Sequence, residues 1–170
     1  MRDDDALAEL VRDRGAALLK HATLLTGSRR GGEDLLQDAL VKVFAGRQGR
    51  VRDIERLEAY VRRTVLTLFL DSYRRHRRWV KVRHLVLEPD PGPADDGVER
   101  RVDVVAALRT LPPRERACVV LRFYDDLTVP QIADELGLAQ GSVKRYLSDA
   151  THSLAAVLEP GSLTQEAETR

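Results

Sequence analysis

Apolar residues recur along the chain at the spacing of three and four that keeps them on one side of a helix. Leu7, Leu10, Val11, Leu18 and Leu25 predict a first long helix, entered through three acids at positions 3–5. Acids suit that end because carboxylates satisfy free amides and face the positive pole of the helix dipole. The run Gly27-Ser28-Arg29-Arg30-Gly31-Gly32 is expected to end this helix. A second helix over 33–44 should turn Leu35, Leu36, Ala39, Leu40, Val43 and Phe44 inward and Asp34, Gln37, Asp38 and Lys42 outward, again with acids at its start. Residues 45–55 are rich in glycine and arginine and lose the period, so a loop is expected there. A third helix starts near Arg56 with Leu57, Val61, Val65, Leu68 and Phe69 as its apolar stripe. Its far end exchanges that stripe for Arg74, Arg77, Arg78 and Lys81, whose spacings place them on one face.

Residues 88–97 hold three prolines, two glycines and four acids, too little apolar surface to fold, and predict a stiff acidic linker. A fourth helix over 98–111 ends before Pro112-Pro113, and Pro113 can occupy the first turn of a fifth helix over 114–124, where a missing amide costs nothing. A last helix stops at Glu159-Pro160-Gly161, leaving a polar tail that is expected to be disordered. No repeat and no strand pattern stands out. The expected fold class is all-α, with two helical modules at 1–87 and 98–158, a linker at 88–97 and a tail at 159–170.

Between the fifth and last helices, residues 127–147 carry the pattern of a helix-turn-helix. Two helices crossing steeply need a small residue at closest approach, a turn residue that accepts positive φ and an apolar plug from the second helix. Ala133, Gly137 and Val143 meet those demands, supported by Ile132, Leu136, Leu138 and Leu147. An ordinary helical hairpin is the bland alternative; the polar second helix favours DNA binding.

Charge sharpens this picture. The net charge is only +1, so a nucleic-acid partner requires segregated rather than global positive charge. Over 60–84 there are eight Lys or Arg against one acid, and over 88–103 six acids against two arginines. A single cysteine, Cys118, permits no internal disulfide or cysteine metal cluster and sits in an apolar run that predicts buried packing. The N-terminus lacks the apolar core of a signal peptide and no segment has the roughly 20 apolar residues of a membrane span. A soluble, cytoplasmic protein without membrane insertion is expected. Catalytic patterns fail individually: residues 27–32 lack the strand and Lys-Ser/Thr of a phosphate loop, the four histidines lack ligand spacing, and no strand leads into Gly141-Ser142. Neither an enzyme nor a cofactor is expected, and no metal site.

Four stretches, spanning nearly the whole chain in order, resemble bacterial RNA polymerase sigma factors of the extracytoplasmic function (ECF) type, in the sigma-70 family, and within it a compact group common in actinobacteria. They are Leu24-Leu25-Thr26-Gly27-Ser28-Arg29 followed by Gly32-Glu33-Asp34-Leu35-Leu36-Gln37-Asp38-Ala39-Leu40; the helix over 60–78; Leu111-Pro112-Pro113-Arg114-Glu115-Arg116-Ala117 with Leu121-Arg122-Phe123-Tyr124; and 127–147. The Glu-Asp-Leu-x-Gln-Asp-Ala and Leu-Pro-Pro-Arg-Glu-Arg strings are far more specific than the helix-turn-helix.

The resemblance implies a promoter-reading subunit that binds RNA polymerase core through the β′ clamp and the β flap, binds promoter DNA, and can be held by an anti-sigma factor. It implies core docking through Asp34, Gln37, Asp38 and Lys42, a face that would otherwise read as solvated. It implies contact with the −10 element, where a base is held outside the stack and the exposed strand needs cations. Arg47, Arg50 and Arg52 in the loop, and Arg74, Arg75, Arg77, Arg78, Trp79 and Lys81 on the third helix, are of the right types; Trp79 reads equally as core. For the −35 element it implies Gln140, Ser142, Lys144, Arg145 and Tyr146 near base edges, with Thr128 and Gln131 at phosphates. Many relatives have Ser-Arg in place of Arg145-Tyr146, and basic residues in place of Ser148-Asp149-Ala150-Thr151. That departure implies weaker phosphate anchoring and an altered −35 preference. The linker, by the same resemblance, threads the RNA exit path. Two other readings stay open on the sequence: a stand-alone helix-turn-helix regulator, and an adaptor that binds polymerase or an anti-sigma protein without reading DNA.

Overall fold

A computed structural model describes residues 3–45, 53–82 and 104–158, without the side chains of 3, 4, 79–82 and 158. The expected linker, the tail, residues 98–103 of the fourth predicted helix, and Arg47, Arg50 and Arg52 of the loop lie outside the described residues. Every described element is an α-helix, and the chain divides into two compact units, 1–97 and 98–170.

The first unit packs α1 (Asp3–Thr26), α2 (Arg29–Ala45) and α3 (Ile54–Val82) pairwise against one another. Its core is the periodic apolar set: Leu10, Leu18 and Leu25 from α1, Ala39 and Val43 from α2, and Leu57, Val61, Val65 and Phe69 from α3, each 2% exposed or less. Burial of a large aliphatic or aromatic side chain contributes about 1.5–3 kcal/mol, which is what holds long helices of mixed propensity. His21 is enclosed in the same core.

The α1–α2 junction is shorter than expected. Only Gly27 and Ser28 lie outside helix; Gly27, at φ 79°, donates its N–H to the Thr23 carbonyl at 2.8 Å. Ser28 Oγ then accepts from the Gly31 N–H at 3.1 Å, so α2 is capped and begins at Arg29, four residues before the predicted start. Gly31 and Gly32 are therefore helical, and Glu33 and Asp34 do not open the helix. The physical reason is close approach. A Cβ on Gly32 would stand 2.7 Å from the Thr23 backbone nitrogen and 2.8 Å from its Cα, so glycine lets α1 and α2 meet backbone to backbone.

The second unit comprises α4 (Val104–Arg109), α5 (Pro113–Phe123), α6 (Val129–Leu136) and α7 (Gln140–Leu158). Pro113 stands in the first turn of α5 as the sequence predicts. Arg116, only 3% exposed, donates from Nη2 to the carbonyls of Arg109 at 2.9 Å and Leu111 at 3.0 Å. A guanidinium thus takes up carbonyls that the end of α4 leaves without helical partners. Cys118 is fully buried beside it in sequence, and burial, with Glu115 nearby, pushes its thiol up to about 11.

The helix-turn-helix turns on Gly137, at φ 63° and ψ 40°. The N–H groups of Gly137 and Leu138 both donate to the Ala133 carbonyl, closing α6 in a left-handed cap. Nothing stands within 4 Å of a Cβ built on Gly137, so dihedral angle, not space, requires glycine there. Ala133, Ile132 and Val143 are buried where the pattern placed them.

Candidate nucleic-acid interface

The first half of α7 interleaves core and surface. Val143 and Ala150 are fully buried, while Gln140, Lys144 and Arg145 are exposed and Ser142 and Tyr146 half-buried. With 3.6 residues per turn, the buried positions fix the helix rotation and thereby aim their neighbours outward. The Arg145 guanidinium lies 5.4 Å from the Tyr146 ring centroid, a cation over an aromatic face. Ser148, Asp149 and Thr151 are exposed next along the helix. Desolvation first and Asp149 second raise the carboxyl of half-buried Glu115 above its ordinary range, so α7 carries negative charge immediately after its cations.

Thr128 and Gln131 are brought together by a reciprocal capping box. Thr128 Oγ1 accepts from the Gln131 N–H at 3.4 Å, and Gln131 Oε1 accepts from the Thr128 N–H at 2.8 Å and its hydroxyl at 3.0 Å. The sequence signal for this is the Thr-x-x-Gln spacing ahead of an apolar run, which the reading as phosphate contacts passed over. Both side chains remain exposed at the N-terminus of α6.

On α3 the described side chains pass from packed to exposed after Tyr73. Phe69 is buried and meets Tyr73 edge-on, with centroids 5.1 Å apart, yet Arg74, Arg75, His76, Arg77 and Arg78 are all exposed. Arg74, Arg77 and Arg78 keep to one face, as their spacing predicts, and Arg75 stands on a neighbouring side. Arg74 pairs with Asp71 at 3.7 Å on the surface, an ion pair worth no more than about 1 kcal/mol. The side chains of Trp79 and Lys81 lie outside the described residues.

Asp34, Gln37, Asp38 and Lys42 are exposed together on α2, and Val41, 62% exposed, lies among them. Sequence reasoning missed Val41, although its spacing from Asp34, Gln37 and Asp38 follows the outward set. Among the described residues no cluster of His, Cys, Asp or Glu could hold a metal, and no helix is long and apolar enough to cross a membrane.

Known proteins match this arrangement. Residues 101–151, which include the helix-turn-helix, match the family model of sigma-70, region 4. The RNA polymerase sigma-E factor of Streptomyces avermitilis is 32% identical over 163 residues, covering 94% of this chain and 88% of that protein. The ECF RNA polymerase sigma factor SigE of Mycolicibacterium smegmatis is 32% identical over 144 residues, covering 80% of this chain and 55% of that one. Among solved structures, the sigma factor RpoE in complex with the anti-sigma factor NepR from Bartonella quintana shares the fold with a TM-score of 0.64 at 23% identity, covering 90% of this chain and 96% of that one. Identity at this level over nearly the full length of both chains, joined to a helix-turn-helix of matching family, is more than a shared helical architecture gives. The chain belongs to the ECF group of sigma-70 factors, the non-enzymatic proteins that direct transcription initiation by RNA polymerase.

Proposed function

We propose that the chain reads promoters at two points, the −10 element through a module at 1–87 and the −35 element through a module at 98–158, while docked on RNA polymerase core in the cytoplasm. The observation that carries this reading is the bare end of α3, where Arg74, Arg75, Arg77 and Arg78 are exposed with no packing duty. An exposed strand is held by such a cationic surface, and Arg47, Arg50, Arg52, Trp79 and Lys81 extend the same chemistry in sequence. In the second module, Gln140, Ser142, Lys144, Arg145 and Tyr146 face a major groove, where Arg and Gln can each hold a base edge by two hydrogen bonds. Thr128 and Gln131, held together by their capping box and exposed at the N-terminus of α6, contact phosphates. Asp34, Gln37, Asp38 and Lys42, with Val41 at their centre, dock on the β′ clamp, and the second module meets the β flap. An anti-sigma factor competes for the same surfaces; a solved structure of this fold holds the sigma factor RpoE with the anti-sigma factor NepR.

The test is transcription in vitro with core polymerase and a genomic promoter library. Initiation at a defined promoter class is expected only when the chain is added, and no stimulated initiation at any promoter sinks the reading. The promoters selected should share a −35 element that changes when Arg145 or Tyr146 is replaced.

A further inference from the structure

Glycine at Gly27, Gly32 and Gly137 is required by the fold itself. Gly27 and Gly137 stand at positive φ, and a Cβ on Gly32 would meet the Thr23 backbone. Gly141 answers to neither need. It stands second in α7, where the Ser142 and Val143 N–H groups donate to the Ala139 carbonyl at 3.0 and 3.2 Å, so it lies inside an ordinary first turn. Its φ is not positive, and nothing stands within 4 Å of a Cβ built on it. Alanine would suit both the space and the dihedral angle there, and of the two residues glycine is the weaker helix former.

What surrounds Gly141 is the outward surface of α7. Gly141, Arg145 and Ser148 follow one another at spacings of four and three on the side opposite the fully buried Val143 and Ala150, and all three are exposed with Lys144 beside them. A side chain at 141 would project one turn ahead of Arg145, in the same direction. A helix lying in a major groove is held off by whatever projects from its outward face, and a missing Cβ lets its backbone come closer, which is one of the uses of glycine.

We propose that Gly141 is a positioning residue for −35 recognition: its bare backbone lets the first turn of α7 lie against the promoter duplex and sets the depth from which Lys144 and Arg145 reach base edges. The inference rests on the reading of α7 as the −35 helix. It adds a residue that acts by having no side chain, and it accounts for a glycine that neither packing nor dihedral angle requires.

The experiment uses holoenzyme assembled from the full chain and core polymerase. The probes are two fluorescein-labelled duplexes of a promoter obtained in the selection above, one intact and one with its −35 element scrambled, and the readout is the ratio of the two affinities. Gly141→Ala should lower that ratio about fivefold and Gly141→Leu about 50-fold, the range spanned by one mismatched base pair. Affinity for the scrambled duplex should stay within about twofold, because phosphate contacts carry it. The urea midpoint of Gly141→Ala should match or exceed that of the parent, a result that a merely structural glycine would not give. Gly15→Ala is the control: its Cβ makes an ordinary contact with Val11 Cγ1 at 3.5 Å, it lies in α1, and it should leave the ratio unchanged. If both Gly141 variants discriminate as the parent does while Arg145→Ala loses discrimination, the inference is overturned with the −35 reading intact. A lowered midpoint for Gly141→Ala overturns it too, since the fold then requires the glycine. If Arg145→Ala also leaves the ratio unchanged, the −35 reading of α7 falls with it.

Discussion

α3 and α7 both combine core packing with exposed cations, but they divide the work differently. Among the described side chains of α3 the last buried one is Phe69, and Arg74, Arg75, Arg77 and Arg78 lie beyond it. In α7 the exposed Lys144 and Arg145 follow directly on Val143, which is fully buried. The charge of Arg74, Arg75, Arg77 and Arg78 is therefore separable from folding, whereas on α7 the rotation that builds the core is the same rotation that presents Lys144 and Arg145 to solvent. Both units cap helices with a positive-φ glycine, Gly27 or Gly137, and a hydroxyl, Ser28 or Thr128; the first adds backbone contact at Gly32, and the second the Arg116 guanidinium.

The largest expected effect exploits the separability of the α3 end. Reversing Arg74, Arg77 and Arg78 to Glu should lower open-complex formation by about 100-fold or more, because like charges set against phosphates cost several kcal/mol. The urea midpoint of the full chain should stay put, since surface changes away from packing lie within about 0.5 kcal/mol. A parallel loss of stability would show that the helix end does pack, and would erase the contrast with α7. An adaptor that does not read DNA would be indifferent to the change.

Next in size is Gly32→Ala. Its Cβ meets the backbone of Thr23, which has no side-chain rotamer to move aside, so a loss of about 1–3 kcal/mol is expected from overpacking. Amide hydrogen exchange on the full chain should place the loss in α1–α3 and leave α5–α7 unaffected. Gly137→Ala makes the converse test. There the space is open and only φ is wrong for an L-residue, so a loss of about 1–2 kcal/mol should appear in the second unit and Gly137→Asn should recover most of it. If Asn is no better than Ala, sterics rather than backbone conformation govern that turn.

The smallest effect concerns Glu115 and Asp149. Glu115 has its carboxyl raised from 4.5, so its contribution to stability is present in acid and is lost as pH rises through the raised value. Asp149→Asn removes the second cause of that rise. A gain of less than about 0.5 kcal/mol is expected at pH 7, shrinking toward zero below the ordinary carboxylate range, as read from urea midpoints at the two pH values. The same substitution should tighten duplex −35 binding by the holoenzyme, because it deletes an anion beside Lys144 and Arg145.

Much of this was legible in the sequence because it depends on local periodicity. The apolar stripes named most of the core of the first unit, Val11 at 48% exposed being an exception, and Ala133, Gly137 and Val143 each occupy the role their residue types demand. Helix starts were less legible. Gly31 and Gly32 read as a break because glycine is a poor helix former, and only contact with a second helix explains its use inside one. Arg116 is in the same position: within Leu-Pro-Pro-Arg-Glu-Arg it looks like one more surface cation, and its burial depends on carbonyls at the end of α4. Val41 and Tyr60 read as ordinary apolar and aromatic residues until packing left them at the surface.

The sequence alone therefore determined the helical class, the turn chemistry and the family resemblance, all consequences of residue type at short range. Tertiary structure decided which glycine serves a dihedral angle and which a contact, and which arginine is buried against carbonyls and which lies exposed. Those distinctions depend on what surrounds a side chain in space, a property that residue spacing along one helix does not contain.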